Sequence, residues 1–286
     1  MHHPNGEYGG FQVYYDNLGF RVPDEASQTN ELANEEKTII FMGDSFTEGN
    51  QVPYNESFVS LVSEGLGLPS VNFGVSSYSP LIYELQIKNV VSQFNADVVV
   101  LQIFSNDFVN DESYFKYAVF ENKEVTGIDG GEENKLIMLA RNSYLLRFIR
   151  KSQLLLQMIL SKPNNNVETS SRAFDYEQNV TEEQIQNTVQ IIRRTQTHLT
   201  DQGKKLYVFL IPSKSLSLDK ECCFDDALYT KFYSALEEID VDTIDVKSSF
   251  EQVNNQNELF FPIDIHLTSF GHRVIAQSIV EHLSNE

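Results

Sequence analysis

The sequence predicts an α/β protein with one doubly wound parallel sheet at its centre. Three observations carry that expectation. Short, mostly apolar runs at Lys37 to Met42, Ser70 to Phe73, Asp97 to Phe104 and Leu206 to Ile211 have the continuous hydrophobicity of strands covered on both faces. Helical patterns separate them, and the clearest opens on a capping box at Thr181 and Gln184, continues with Ile185, Val189, Ile192 and Leu199 on one face, and stops at Gly203. Strands alternating with helices pair in parallel through right-handed crossovers, which gives one open sheet. Ligands of such sheets bind at the carboxyl ends of the strands, so the residues after each strand carry the functional information.

Along the chain, residues 1–36 read as an irregular N-terminal arm broken by Gly6, Gly9, Gly10, Gly19 and Pro23, and residues 37–286 as a single domain. Further helices are expected at Glu56 to Gly65, Leu81 to Gln93, Asp226 to Ile239 and Ser269 to Leu283. From about 108 to 178 the alternation lapses into an insertion. There, Tyr117 to Val125 reads as a hairpin turning near Asn122 and Lys123, Ser143 to Leu160 as an amphipathic to strongly apolar helix, and Pro163 to Ser171 as a linker.

Composition narrows the function classes. With 286 residues, 41% hydrophobic and 12% aromatic, the chain can bury a core, which excludes a wholly disordered, collagen-like or coiled-coil protein. Lys and Arg number 21 against 41 Asp and Glu, a net charge of −20 that repels phosphate backbones and anionic lipid, so nucleic acid is not an expected partner. No apolar run reaches the roughly 18 to 20 residues of a membrane span; the best, Tyr144 to Leu160, is interrupted by Arg147, Arg150 and Lys151. The first twenty residues lack the basic start and apolar core of a signal peptide, which leaves the compartment open between the cytoplasm and, with a leader outside this sequence, export. The only cysteines, Cys222 and Cys223, are adjacent, so neither a disulfide framework nor a structural metal is indicated.

The strand ends are chemically distinctive. After the first strand, Gly43-Asp44-Ser45-Phe46-Thr47-Glu48-Gly49 sets a serine at a strand-to-helix turn, where first-turn N–H groups favour a developing negative charge. Gly74 after the second strand lets backbone approach a substrate and offers its own N–H. Asn106 after the third carries an amide donor. Ahead of the last helix, Asp264 stands two residues before His266, a spacing that lets the carboxylate hold one ring nitrogen while the other takes a proton from Ser45. Each feature alone is ordinary loop chemistry; their coincidence at four strand ends is not. His272 is a competing base but falls within a helix, and Asp44 and Asp107 read as loop-tying residues. Ser105 is a neighbour of the site.

Taken together, Gly43-Asp44-Ser45, Gly74, Asn106 and the Asp264/His266 pair resemble the SGNH, or GDSL-type, hydrolases, as do the phrases DNLGFR, GDSFTEG and HLTSFGH. The resemblance covers Asp16 to about Val109 and Leu206 to Leu283. It implies a flavodoxin-like, three-layer α/β/α sandwich with Ser45 as nucleophile, His266 as base, Asp264 as its partner, and an oxyanion hole built from the Ser45 and Gly74 N–H groups and the Asn106 side chain. Many members space the acid and base as Asp-x-x-His; here Ile263 holds that acid position and Asp264 gives Asp-x-His, which looks like the polysaccharide-modifying branch.

The implied activity is cofactor-free hydrolysis of a carboxylic ester through an acyl-serine, with a small-molecule or glycan acetyl ester as substrate. Three alternatives stay open: an O-acetyltransferase acting on a glycan, a long-chain lipase or thioesterase with the Tyr144 to Leu160 helix as lid, and a non-catalytic glycan-binding or scaffold protein. A helix inserted beside a sheet more often packs its apolar face on its own domain or on a second subunit of a homo-oligomer than acts as a lid.

Overall fold

Alternation along the buried strands decides the layering. The structure, a computed structural model, describes residues 10–27, 38–121, 124–129, 180–213, 226–262 and 264–285. Its central sheet contains β3 (Thr38–Met42), β4 (Ser70–Asn72), β5 (Ala96–Ile103), β8 (Lys205–Leu210) and β9 (Asp242–Thr243), all parallel, in the order β4-β3-β5-β8-β9. Ile40, Met42, Val99, Leu101, Val208 and Leu210 point to one core, and Ile39, Phe41, Val100, Tyr207 and Phe209 to the other. This is the period-two consequence of a pleated strand with helices on both faces.

The first core is closed by α3 (Pro80–Asn89), α5 (Glu182–Thr200) and α6 (Asp226–Glu237), which contribute Tyr83 and Ile87, Ile185 and Val189, and Phe232 and Leu236. The second is closed by α2 (Phe58–Leu66), α7 (Lys247–Glu251) and α8 (Ser269–Ser284), through Phe58 and Val62, Phe250, and Ile275 and Ile279. The expected capping box is present: Gln184 N–H donates to Thr181 Oγ1 (3.2 Å) and Thr181 N–H to Gln184 Oε1 (2.8 Å). Strand order reverses between β3 and β5, so the crevice at a topological switch point lies over their carboxyl ends. Each of those strands runs directly into a helix, β3 into α1 (Ser45–Glu48) and β5 into α4 (Ser105–Phe115).

Two features depart from expectation. The arm, read as irregular, holds an antiparallel hairpin of β1 (Tyr14–Tyr15) and β2 (Arg21–Val22). Asp16 closes its turn by accepting the Leu18 and Phe20 N–H groups (both 2.9 Å), and Phe20 packs on Phe73 with ring centroids 4.4 Å apart. The chain also divides into two compact units, the first spanning Met1–Phe115 and Ser171–Glu286, the second Lys116–Ser170. Within the second, β6 (Ala118–Glu121) and β7 (Glu124–Ile128) form the expected hairpin. Its turn at Asn122 and Lys123, the Ser143 to Leu160 helix, the linker, Lys37, Cys222, Cys223 and Ile263 lie outside the described residues. Among the described residues, no helix is long and apolar enough to cross a membrane.

Candidate active site

At the end of β3 the backbone must turn within the width of one residue, and Gly43 allows it. A Cβ there would sit 2.3 Å from Thr47 Oγ1 and 2.4 Å from Gln102 Oε1. Gln102 Oε1 accepts from both the Asp44 N–H (3.2 Å) and Thr47 Oγ1 (2.9 Å), pinning the turn to β5. Asp44 is wholly buried and accepts the Phe46 N–H at 2.9 Å, which makes it the N-cap of α1 and leaves Ser45 as that helix's first residue. Burial pushes the Asp44 carboxyl upward, opposed by the Phe46 N–H and then by the nearby His266.

His266 is brought to Ser45 by a closed loop. Phe260 and Leu267 pair as an antiparallel bridge, and the Phe261 N–H donates to the His266 carbonyl (3.0 Å), so residues 261–266 form a tight excursion ahead of α8. Leu267 and Ile275 then anchor the segment in the core beside α2. The result places His266 Nε2 2.7 Å from Ser45 Oγ, across 221 residues of sequence. Asp264 Oδ1 accepts the His266 backbone N–H at 2.8 Å and also contacts His266 Nδ1. The Asp-x-His spacing is thereby explained: one carboxylate oxygen serves both nitrogens of a residue two positions on, fixing backbone and ring together. With the proton on Nδ1 facing Asp264, Nε2 is the acceptor for the serine hydroxyl. The His266 side chain is 16% exposed and that of Asp264 25%, so both line an accessible surface. Phe46 packs its ring 4.9 Å from the His266 ring and 4.3 Å from Phe104, forming an aromatic floor the sequence reading did not identify.

The other expected donors fare differently. Gly74 is buried, and a Cβ on it would lie 2.4 Å from the Glu48 backbone nitrogen, so glycine is demanded by the close approach of α1. Its N–H donates to Asn72 Oδ1 at 2.9 Å, while Asn72 Nδ2 donates to the Thr47 carbonyl at 2.7 Å. The expectation that the Gly74 N–H serves an oxyanion is therefore corrected: the local Asn72 turn occupies it. An asparagine two residues ahead of a post-strand glycine is the sequence signal for that turn. Asn106 lies in the first turn of α4, half-buried, with its amide against the Asp44 carboxylate. The amide carries two N–H hydrogens at this strand end.

Three neighbours turn out to be structural. Ser105 is fully buried with its Oγ 3.2 Å from Ser213 Oγ, so it does not line the surface. Asp107 Oδ2 accepts the Phe104 N–H (2.8 Å) and Oδ1 the Tyr83 hydroxyl (3.1 Å); burial, and then Asp44, hold its carboxyl well above the usual range. His272 is buried, stacks on Phe58 at 5.6 Å, and accepts the Phe58 N–H on Nδ1 at 3.2 Å. Burial, with Arg21 nearby, lowers its pKa to about 3, so it is a neutral cap for α2 and not a base in reach of Ser45.

Comparisons with known proteins find similarity in the fold and in the C-terminal sequence. Residues 171–286 match the family described as the SGNH hydrolase-like domain of the acetyltransferase AlgX. The protein named "Probable alginate O-acetylase AlgJ" from Pseudomonas putida is 25% identical over 111 residues, 37% of this chain and 29% of that one. An acetylxylan esterase from Geobacillus stearothermophilus superimposes with a TM-score of 0.51 at 14% identity, covering 88% of this chain and 96% of that chain. A member of the lipolytic G-D-S-L family from Veillonella parvula gives 0.51 at 13% identity, covering 87% and 100%. The switch-point sheet shares the fold of these solved structures, and the C-terminal match and the AlgJ similarity make this chain similar to SGNH hydrolases of the polysaccharide-modifying branch.

Proposed function

We propose that the protein is a serine-dependent enzyme that removes short acyl groups, acetyl first among them, from esters of carbohydrate. The observation that carries this reading is the unbroken line Asp264, His266, Ser45, with Nε2 2.7 Å from Oγ. Ser45 Oγ attacks the ester carbonyl carbon while Nε2 takes its proton; the imidazolium, steadied by Asp264, then gives that proton to the departing alcohol oxygen. Water, deprotonated by the same nitrogen, attacks the acyl-serine and releases the carboxylic acid. Charge on the tetrahedral oxygen falls to the Ser45 N–H and the Asn106 side-chain amide. A preorganised donor of this kind lowers the barrier by roughly 3 to 4 kcal/mol.

A second reading is favoured by the similarity to AlgX and AlgJ, whose names denote acetyl transfer to a polymer. In it, a sugar hydroxyl replaces water in the second half-reaction, and all residue roles are unchanged. One assay separates the two: p-nitrophenyl esters from acetate to dodecanoate, with and without a neutral oligosaccharide acceptor, with wild type and Ser45→Ala. p-Nitrophenol release that falls with acyl chain length and needs Ser45 supports the esterase; acetylated sugar in the mass spectrum supports transfer. A preference for long chains points to a lipase, and the absence of Ser45-dependent turnover with either acceptor rejects the enzymatic reading.

A further inference from the structure

The helix that begins with Ser45 is too short to hold itself. α1 has four residues, and its backbone bonds are Glu48 N–H to the Asp44 carbonyl and Gly49 N–H to the Ser45 carbonyl, both 2.9 Å. A single turn fixes several dihedrals for very few hydrogen bonds, so helices of this length are unstable in isolation. Gln102 and Asn72 hold its start and middle from the sheet, and its far end is held from the arm. Arg21, on β2 and only 1% exposed, donates Nη1 to the Glu48 carbonyl (2.9 Å) and to the Gly49 carbonyl, and Nη2 to the Val52 carbonyl (2.6 Å). Tyr15, on β1, donates its hydroxyl to Glu48 Oε1 at 2.7 Å and contacts Asn50 Oδ1 at 2.9 Å. The other Glu48 oxygen accepts the Ser76 N–H (2.8 Å) and the Ser76 hydroxyl. Glu48 therefore ties the arm, the serine's helix and the loop after β4 into one unit.

We infer that Arg21 and Tyr15 are positioning residues for the Ser45 nucleophile, which makes the β1–β2 hairpin a working part of the active site. Neither touches the reacting atoms. Arg21 grips the carbonyls at the end of α1 and in the turn that follows, and the Glu48 carbonyl it holds shares a peptide with the Gly49 N–H that donates back to the Ser45 carbonyl. Loosening this grip shifts Oγ relative to Nε2, and a displacement near 1 Å costs about a hundredfold in rate. The inference rests on the proposed role of Ser45, and its test keeps the two apart.

The full chain is prepared as wild type, Arg21→Lys and Tyr15→Phe. Folding is checked by thermal melts, Ser45 phosphonylation by a small fluorophosphonate is followed for rate and final stoichiometry, and kcat and KM are measured on p-nitrophenyl acetate. Expected are full final stoichiometry, labelling slowed about 10- to 100-fold in Arg21→Lys and about 3- to 10-fold in Tyr15→Phe, kcat reduced in the same order and KM within about twofold. A merely structural role would lower the melting temperature and the labelled fraction but leave the rate of the folded fraction unchanged. Labelling rates within about twofold of wild type in folded variants overturn the inference; if Arg21→Lys does not fold, Tyr15→Phe decides alone. If wild-type Ser45 is never labelled, the reading of Ser45 as nucleophile fails, and this inference with it.

Discussion

His266 and His272 stand six residues apart, one in the loop ahead of α8 and one in its first turn, and the fold gives them opposite environments. His266 keeps part of its ring at the surface, with a carboxylate on one nitrogen and a hydroxyl on the other. His272 is buried against Phe58, with a backbone N–H donating into its ring. The first arrangement leaves a nitrogen able to gain and lose a proton at an accessible surface. The second spends the same side chain as an uncharged cap. What separates the two imidazoles is whether the chain around them forms an excursion over the sheet edge or a helix packed into the core.

The comparison breaks most sharply through activity. His266→Ala and Ser45→Ala should each lower kcat on p-nitrophenyl acetate by about four orders of magnitude with melting temperature nearly unchanged. Wild-type turnover by folded His266→Ala would remove it as the base. Asp264→Asn should follow, with a loss of about a hundred- to ten-thousandfold, because the amide supports the wrong tautomer of His266. Since Asp264 Oδ1 also holds the His266 backbone, KM should stay within about threefold; a change confined to KM would make the residue a substrate contact. Asn106→Ala should cost about a hundredfold in kcat, as expected on losing one oxyanion donor, and an unchanged kcat would show that the Ser45 N–H works without it.

His272 sharpens the contrast through stability. Its buried ring titrates at about 3, below the 6.5 of an unfolded histidine, so the unfolded chain binds the extra proton between those values. This contribution to stability is full above pH 6.5 and lost as pH falls toward 3, by about 1.4 kcal/mol per unit. Asp107 and Asp111 act in the other direction: burial raises both, Asp111 to about 6, so their contribution is present below the unfolded value and lost as pH rises through the folded one. Urea melts of wild type and His272→Gln from pH 7 to pH 4 isolate the histidine, since the carboxylates are common to both. Their stability gap should narrow steadily toward acid, while kcat at neutral pH changes less than about threefold. A gap independent of pH would contradict the neutral-cap assignment.

Much of this architecture was legible because it follows local rules. β3, β4, β5 and β8 declared themselves by apolar runs, α5 by its capping box, and the candidate site by polar residues at strand ends. The parts that were not legible are those in which tertiary contacts override local preference. The two-residue strand β9 has no periodicity to detect, and the hairpin in the arm is set by Asp16 and by burial of Arg21, a residue type that sequence alone assigns to the surface. Gly74 was found correctly as a special position, but its reason was misjudged: packing against the Glu48 nitrogen requires the glycine, and Asn72 takes its N–H.

The 221 residues between Ser45 and His266 have a consequence for biosynthesis. At roughly 5 to 20 residues per second, the ribosome delivers the serine about 11 to 44 s before the histidine. Throughout that interval the nascent chain carries an unactivated hydroxyl. On the proposed mechanism the hydroxyl meets its base only when α8 docks beside α2, so the same late contact that completes the second core also completes the Ser45–His266 pair.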